Sequence, residues 1–250
     1  MSGTAIISAA GWKGSGSKRG LADCPEPFLP LGDGTTTLSR VAMTFKKLDF
    51  DVYIGIARLG YPYKKYSYWR HPPLDDIGLS QNDSPWTQKW KDYAATLGTV
   101  IEVSDPGRAH NCDTFCVIMD HLGCQNWDRL ILAPGDQLMS EGYLEAIMTA
   151  LPWSSQYTFG PNHSYLLLNA DGATFYREYV EPMRQYKSRI EWGKGSKYLP
   201  DGHHQGTTAM AKGGIPTYGG HNGPKGRWYD IDTPAGYAQA LKMVTDGTFA

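Results

Sequence analysis

At 250 residues, with 41% hydrophobic and 20% charged side chains and a net charge of −1, the chain has the composition of an ordinary globular protein. That balance excludes a generally basic, nucleic-acid-binding surface, and no apolar run approaches the roughly 20 residues that span a membrane. Cys24, Cys112, Cys116 and Cys124 are too few for a disulfide framework and suit reduced thiols in a cytoplasmic protein.

Residues 5–10 form an apolar run that enters a turn rich in Gly, Ser and Lys, the pattern of a buried parallel strand feeding a loop. No basic segment precedes this run and it is too short for a secretory signal. Leu38, Val41, Ala42, Phe45 and Leu48 then recur at helical spacing, and residues 52–57 return to a strand pattern. Residues 5–57 therefore predict a βαβ unit with a right-handed crossover. Residues 60–85 break the rhythm with Tyr, Trp, His and Pro and predict a lid or insertion. There, Tyr61, Tyr63, Tyr66, Tyr68 and Trp69 either stack on a base or sugar or pack the lid onto the domain.

A helix is expected over 86–97, a strand over 100–103, a helix over 113–122 and a buried strand over 129–133 that ends at Pro134-Gly135-Asp136. Cys112 and Cys116, four apart, fit buried positions on one helix face. Zinc held with Cys124, His110 and His121 is the alternative, and it lacks the paired Cys-x-x-Cys spacing. Residues 141–151 predict a helix N-capped by Ser140, with Tyr143, Leu144, Ile147, Met148 and Leu151 on one face.

Beyond Pro152 the pattern loosens. A strand is expected over 165–168 and a helix over 173–186, while residues 152–227 as a whole read as substrate loops. The adjacent His203 and His204 read as solvated loop residues or as a metal or phosphate contact. Near residue 230 the chain enters a last helix, with Thr233 able to cap it and Pro234 in its first turn. No internal repeat is visible, and residues 1–250 read as a single domain.

The strongest chemical feature is the strand that runs into Ala9-Ala10-Gly11-Trp12-Lys13-Gly14-Ser15-Gly16-Ser17-Lys18-Arg19. Glycines let backbone N–H groups approach a phosphate, and Lys or Arg neutralises it, so the segment suits a triphosphate; a flexible surface turn is the other reading. It is not a Walker A loop, because Gly-Lys-Ser/Thr before a helix is missing.

The continuation narrows this. Pro25-Glu26-Pro27-Phe28-Leu29-Pro30-Leu31-Gly32 follows, and then Thr37-Leu38-Ser39-Arg40. In this order the segments resemble the sugar-phosphate nucleotidyltransferases and their relatives, including molybdopterin-cofactor nucleotidyltransferases. Leu130-Ile131-Leu132-Ala133-Pro134-Gly135-Asp136 looks like that family's strand ending in Gly-Asp, and Asp230-Ile231-Asp232-Thr233-Pro234 looks like its late acidic segment. The resemblance covers residues 4–57, 129–148 and 228–244.

It implies an α/β, three-layer Rossmann-like (glycosyltransferase-A-like), mostly parallel sheet with a loop-rich C-terminal substrate region. It also implies a site in which Ala9, Ala10, Gly11, Gly14 and Gly16 line the nucleotide, Lys18 and Arg19 hold the phosphates, and Asp136, Asp230 and Asp232 bind Mg²⁺. Asp136 can instead cap the helix near Ser140, and Asp232 can cap the last helix. The implied partners are a nucleoside triphosphate and a phosphorylated small molecule, a sugar 1-phosphate foremost. No nucleic acid or membrane is implied, and oligomerisation is left open.

One position departs from the pattern. Where the family carries a lysine after the first proline, this chain has Glu26. Either Lys18 or Arg19 supplies the charge, or the nucleotide sits differently, or transfer is lost. A glycosyltransferase using a nucleotide sugar and a non-catalytic nucleotide or sugar sensor are the competing readings.

Overall fold

The computed structural model describes residues 3–10, 25–57, 88–103, 111–123, 127–159, 163–174, 216–219, 228–231 and 234–248. Its elements in chain order are β1 (Gly3–Ser8), a 3-10 turn (Glu26–Phe28), α1 (Thr37–Lys47), β2 (Phe50–Ala57), α2 (Gln88–Leu97), β3 (Thr99–Val103) and α3 (Asn111–Leu122). There follow β4 (Leu130–Pro134), β5 (Gln137–Met139), α4 (Glu141–Ala150), β6 (Ser155–Phe159), β7 (His163–Leu168), β8 (Thr217–Gly219), β9 (Trp228–Asp230) and α5 (Pro234–Thr245).

Among the described residues β3-β2-β1-β4-β7-β6-β8 form one sheet and β5-β9 a small second one. The four strands β3, β2, β1 and β4 run parallel, β7 is antiparallel to β4, and β6 is antiparallel to β7. The sheet is α/β, mostly parallel and Rossmann-like, as the resemblance implied.

Alternation along the strands builds the layers. Ala5 and Ile7 of β1, Val52, Ile54 and Ile56 of β2, and Ile131 and Ala133 of β4 face one cluster, completed by Leu38, Val41, Ala42 and Phe45 of α1 and by residues of α2 and α4. Ile6, Leu130 and Leu132 point the other way, onto Phe115, Cys116, Ile118 and Met119 of α3. Parallel strands covered on both faces must be apolar on both, which is why these segments read as continuous hydrophobic runs. A third cluster joins Leu29 and Leu31, Leu138 of β5, Ile231, and Ala240 and Val244 of α5.

The chain travels outward from β1 to β2 to β3, then returns to place β4 on the other side of β1. The helices change face with that reversal, as crossovers of constant hand require. At β2, Gly55 leaves room for α3, since a Cβ there would lie 2.2 Å from Cγ2 of Thr114.

Several details differ from expectation. β1 spans Gly3–Ser8, two residues earlier than the apolar run suggested, because Ala9 and Ala10 already leave the ladder. Ser140 does occupy the N-cap position of α4, but its side chain makes no capping hydrogen bond. β6, and β8 within the expected loops, extend the sheet beyond β7, and Trp228–Asp230 is a strand. Helix begins at residue 170 rather than 173, and residues 175–186 lie outside the described set.

Candidate functional site

A doubly wound sheet opens a crevice at the carboxyl ends of its strands, where two neighbouring connections leave in opposite directions. Here that switch point lies between β1 and β4. Ser8 pairs with Pro134 at the last rung, so the chain leaves β1 toward Gly11 beside the bend at Gly135 and Asp136.

The bend is built closely. Gly135 N–H donates to the Ser8 carbonyl at 2.9 Å, and Ala9 N–H donates to the Gly55 carbonyl at 2.9 Å. A Cβ on Gly135 would stand 3.0 Å from the Ser8 oxygen, 3.1 Å from Cγ2 of Ile7 and 3.4 Å from Cδ1 of Leu38. Any side chain here would crowd the Ser8 carbonyl, so glycine suits the close seat of this bend against β1.

Helix α1 holds the bend from below. Thr36 and Ser39 form a capping box: Thr36 Oγ1 accepts from Ser39 N–H at 3.0 Å, and Thr36 N–H donates to Ser39 Oγ at 2.8 Å. The next residue, Thr37, is fully buried and shares its hydroxyl proton between the Gly135 carbonyl at 3.0 Å and the Pro27 carbonyl at 3.1 Å. One side chain thereby ties together the acidic bend, the helix start and the proline-rich segment 25–31.

That segment is fixed from two further sides. Phe28 packs against Trp90 and Tyr93 of α2, with ring centroids 5.3 Å and 6.0 Å away. Tyr237 of α5 donates to the Pro30 carbonyl. At the exposed turn before α1, Arg40 pairs with Asp33 at 2.6 Å. Partial burial of the Asp33 carboxyl opposes its ionisation, but hydrogen bonds from Thr35 and Arg40, together with the Arg40 charge, outweigh that and hold its pKa below the usual value.

Asp136 emerges from the bend with Oδ1 buried and, among the described residues, without a hydrogen-bond partner. The phenol of Tyr165 on β7 is wholly buried, and that burial, with the Asp136 charge adding to it, pushes its pKa far up. β5 begins immediately after Asp136, and its ladder sets Gln137 opposite Asp230, Leu138 opposite Tyr229 and Met139 opposite Trp228. The backbone thus brings position 230 to within one residue of Asp136 across a single rung.

The anticipated site residues fall into three groups. Ala9, Ala10 and Asp136 are described, and Ala9 and Ala10 are fully buried, backbone included. Asp230 is placed by its backbone register. Gly11, Gly14, Gly16, Lys18, Arg19 and Asp232 lie outside the described residues, as do the aromatic segment 60–85 and His203 and His204. Glu26 is placed by its backbone in the 3-10 turn.

Among the described residues no three His, Cys, Asp or Glu side chains gather as a metal cluster. Cys116 of α3 is buried in the core, while Cys24, Cys124 and His110 lie outside the described residues. Gln137, which the sequence did not single out, is fully buried, with both ends of its amide unpartnered among the described residues. Its proximity to Gly-Asp is its sole sequence signal.

These features define a doubly wound α/β fold with an acidic bend at its switch point, and solved nucleotidyltransferases share that fold. UTP-bound UGPase from Acinetobacter baumannii is 13% identical, aligns over 98% of this chain and 93% of its own, and gives a TM-score of 0.52. A UDP-glucose pyrophosphorylase complexed with UDP-glucose is 13% identical over 99% of this chain and 100% of its own, with a TM-score of 0.55. The inositol-1-phosphate CTP transferase from T. maritima is 13% identical over 98% and 97%, with a TM-score of 0.51. No family model matches the chain, and no curated protein matches it. Among the described residues no helix is long and apolar enough to cross a membrane.

Proposed function

We propose that the chain is a nucleotidyltransferase that moves a nucleoside monophosphate from a nucleoside triphosphate to a phosphorylated small molecule, a sugar 1-phosphate foremost. An acceptor phosphate oxygen attacks the α-phosphorus, the bond from that phosphorus to the bridging oxygen breaks, and pyrophosphate leaves. The observation that supports this reading is the buried, unpartnered Oδ1 of Asp136 at the switch point, with position 230 one rung away.

A buried carboxylate oxygen without a donor is costly unless a charge meets it. Carboxylate oxygens are hard donors, which suits Mg²⁺. In this reading Asp136 and Asp230 hold the ion, with Asp232 as a further ligand. When bound, Mg²⁺ supplies the positive charge that offsets the oxygens of the transferred group and of the departing pyrophosphate.

The chain's own residues do the rest. Gly135 and Thr37 fix the bend from which Asp136 follows, beside the carboxyl end of β1. The amides of Gly11, Gly14 and Gly16 receive phosphate oxygens, and Lys18 and Arg19 carry the charge that Glu26 does not supply.

The proposal is tested by incubating the protein with each nucleoside triphosphate, Mg²⁺ and a panel of sugar phosphates and measuring pyrophosphate. Release is expected with one pairing, and Asp136→Asn should lower it by about 10² or more, the order seen when a charge-stabilising group is removed. Silence of the wild-type protein across the whole panel overturns the reading.

A further inference from the structure

Gln137 stands out among the polar side chains that the proposed reaction leaves unused. It is fully buried, and among the described residues both Oε1 and Nε2 lack a hydrogen-bond partner. A primary amide buried in this way forfeits its hydrogen bonds to water and recovers none, so a sequence under stability constraint alone would place Leu or Met there. The residue directly before it presents the complementary defect: Asp136 Oδ1 is a buried acceptor without a donor.

Two geometric facts let the defects meet. Asp136 lies in the bend that precedes β5, so the strict alternation of a pleated strand does not hold the two side chains on opposite faces. Gln137 also opens the β5–β9 ladder opposite Asp230, which puts it between the two acidic positions in the backbone. A carboxylate that ligates a cation through one oxygen is normally fixed by a hydrogen bond to the other.

Resting on the nucleotidyltransferase reading of this site, we propose that Gln137 is a positioning residue: its Nε2–H donates to Oδ1 of Asp136 when Oδ2 takes a divalent cation. The amide turns about its own side-chain torsions, no bond is made or broken, and the carboxylate is thereby aimed.

The test uses Mn²⁺ as the probe, alone and with inorganic tripolyphosphate, on the full chain and its Gln137→Met variant. Methionine keeps the volume and removes both unpartnered polar atoms, so the Tm is expected to stay level or rise. Mn²⁺ binding, followed by electron paramagnetic resonance, is expected to weaken about tenfold, as for loss of a group that orients a metal ligand. A purely structural glutamine would leave Mn²⁺ affinity unchanged, and that result overturns the inference.

Independently of any variant's folding, the Gln137 Nε2 resonance of ¹⁵N-glutamine-labelled wild-type protein should move, and its protons should exchange more slowly, on adding Mg²⁺ with tripolyphosphate. No change in that resonance overturns the inference too. Wild-type protein that binds no Mn²⁺ in either condition overturns the reading of the site and the inference with it. Wild-type binding matched by Gln137→Met overturns the inference alone.

Discussion

A methyl group on Gly135 would press on the Ser8 carbonyl, a backbone atom that cannot swing aside. Gly135→Ala is therefore expected to destabilise the protein by about 1–3 kcal/mol, the usual cost of forcing extra volume into a packed site. Chemical denaturation should show this as a lower midpoint with an unchanged slope. Asp136→Asn should behave oppositely in stability, holding or raising the Tm while it lowers the proposed pyrophosphate release, because a buried carboxylate oxygen without a donor is a burden to the empty fold. The Gly-Asp pair is readable in the sequence because a buried strand running into those two residues is a compact local pattern. Gln137 is not, since one glutamine carries no periodicity and its burial exists only after β9 and α5 have packed.

At the scale of elements, the turn before α1 carries the pH dependence. Asp33 has a lowered pKa in the folded chain, so the stability it contributes is present above its unfolded value of about 3.9 and is lost as pH falls through the folded value. Asp33→Asn should cost no more than about 1 kcal/mol at pH 7, given how exposed this pair is. The difference in Tm between variant and wild type should shrink below about pH 4; a difference constant from pH 7 to pH 3 would count against this assignment.

The long elements were legible for a physical reason. β1, β2 and β4 are covered on both faces and read as apolar runs, while α1 and α4 each bury one apolar face that sets a helical period. β5, β8 and β9 are three residues each, too short for a period of two to register. β6 is Ser-Gln-Tyr-Thr-Phe, whose polar and aromatic alternation is a strand pattern, but it follows Pro152 in a stretch without a continuous apolar run. Ser140 was correctly located as the start of α4, yet the helix forms without its hydroxyl, since Tyr143, Leu144 and Ile147 anchor it to the core.

Across the whole molecule, the site depends on a small sheet that closes over segment 29–31 and carries α5 on its back. Leu138→Ala, in the middle of β5, should cost about 2–5 kcal/mol. Hydrogen exchange would show where the loss falls: amides of β9 and α5 should open at lower energy than those of β1, β2 and β4, whose ladders are buried on both faces. Uniform acceleration over the entire sheet would contradict this division. The doubly wound order is implicit in the alternation of apolar strands and amphipathic helices, whereas the β5–β9 pairing links segments far apart in sequence and leaves no local trace.

That pairing also sets a schedule for synthesis. While residues beyond 227 are still inside the ribosome, the parallel strands can already assemble, but position 137 has no opposite strand and Pro30 has no tyrosine to receive. At that stage the acidic bend stands without the strand that carries position 230, which can pair with β5 only once residues 228–230 have emerged.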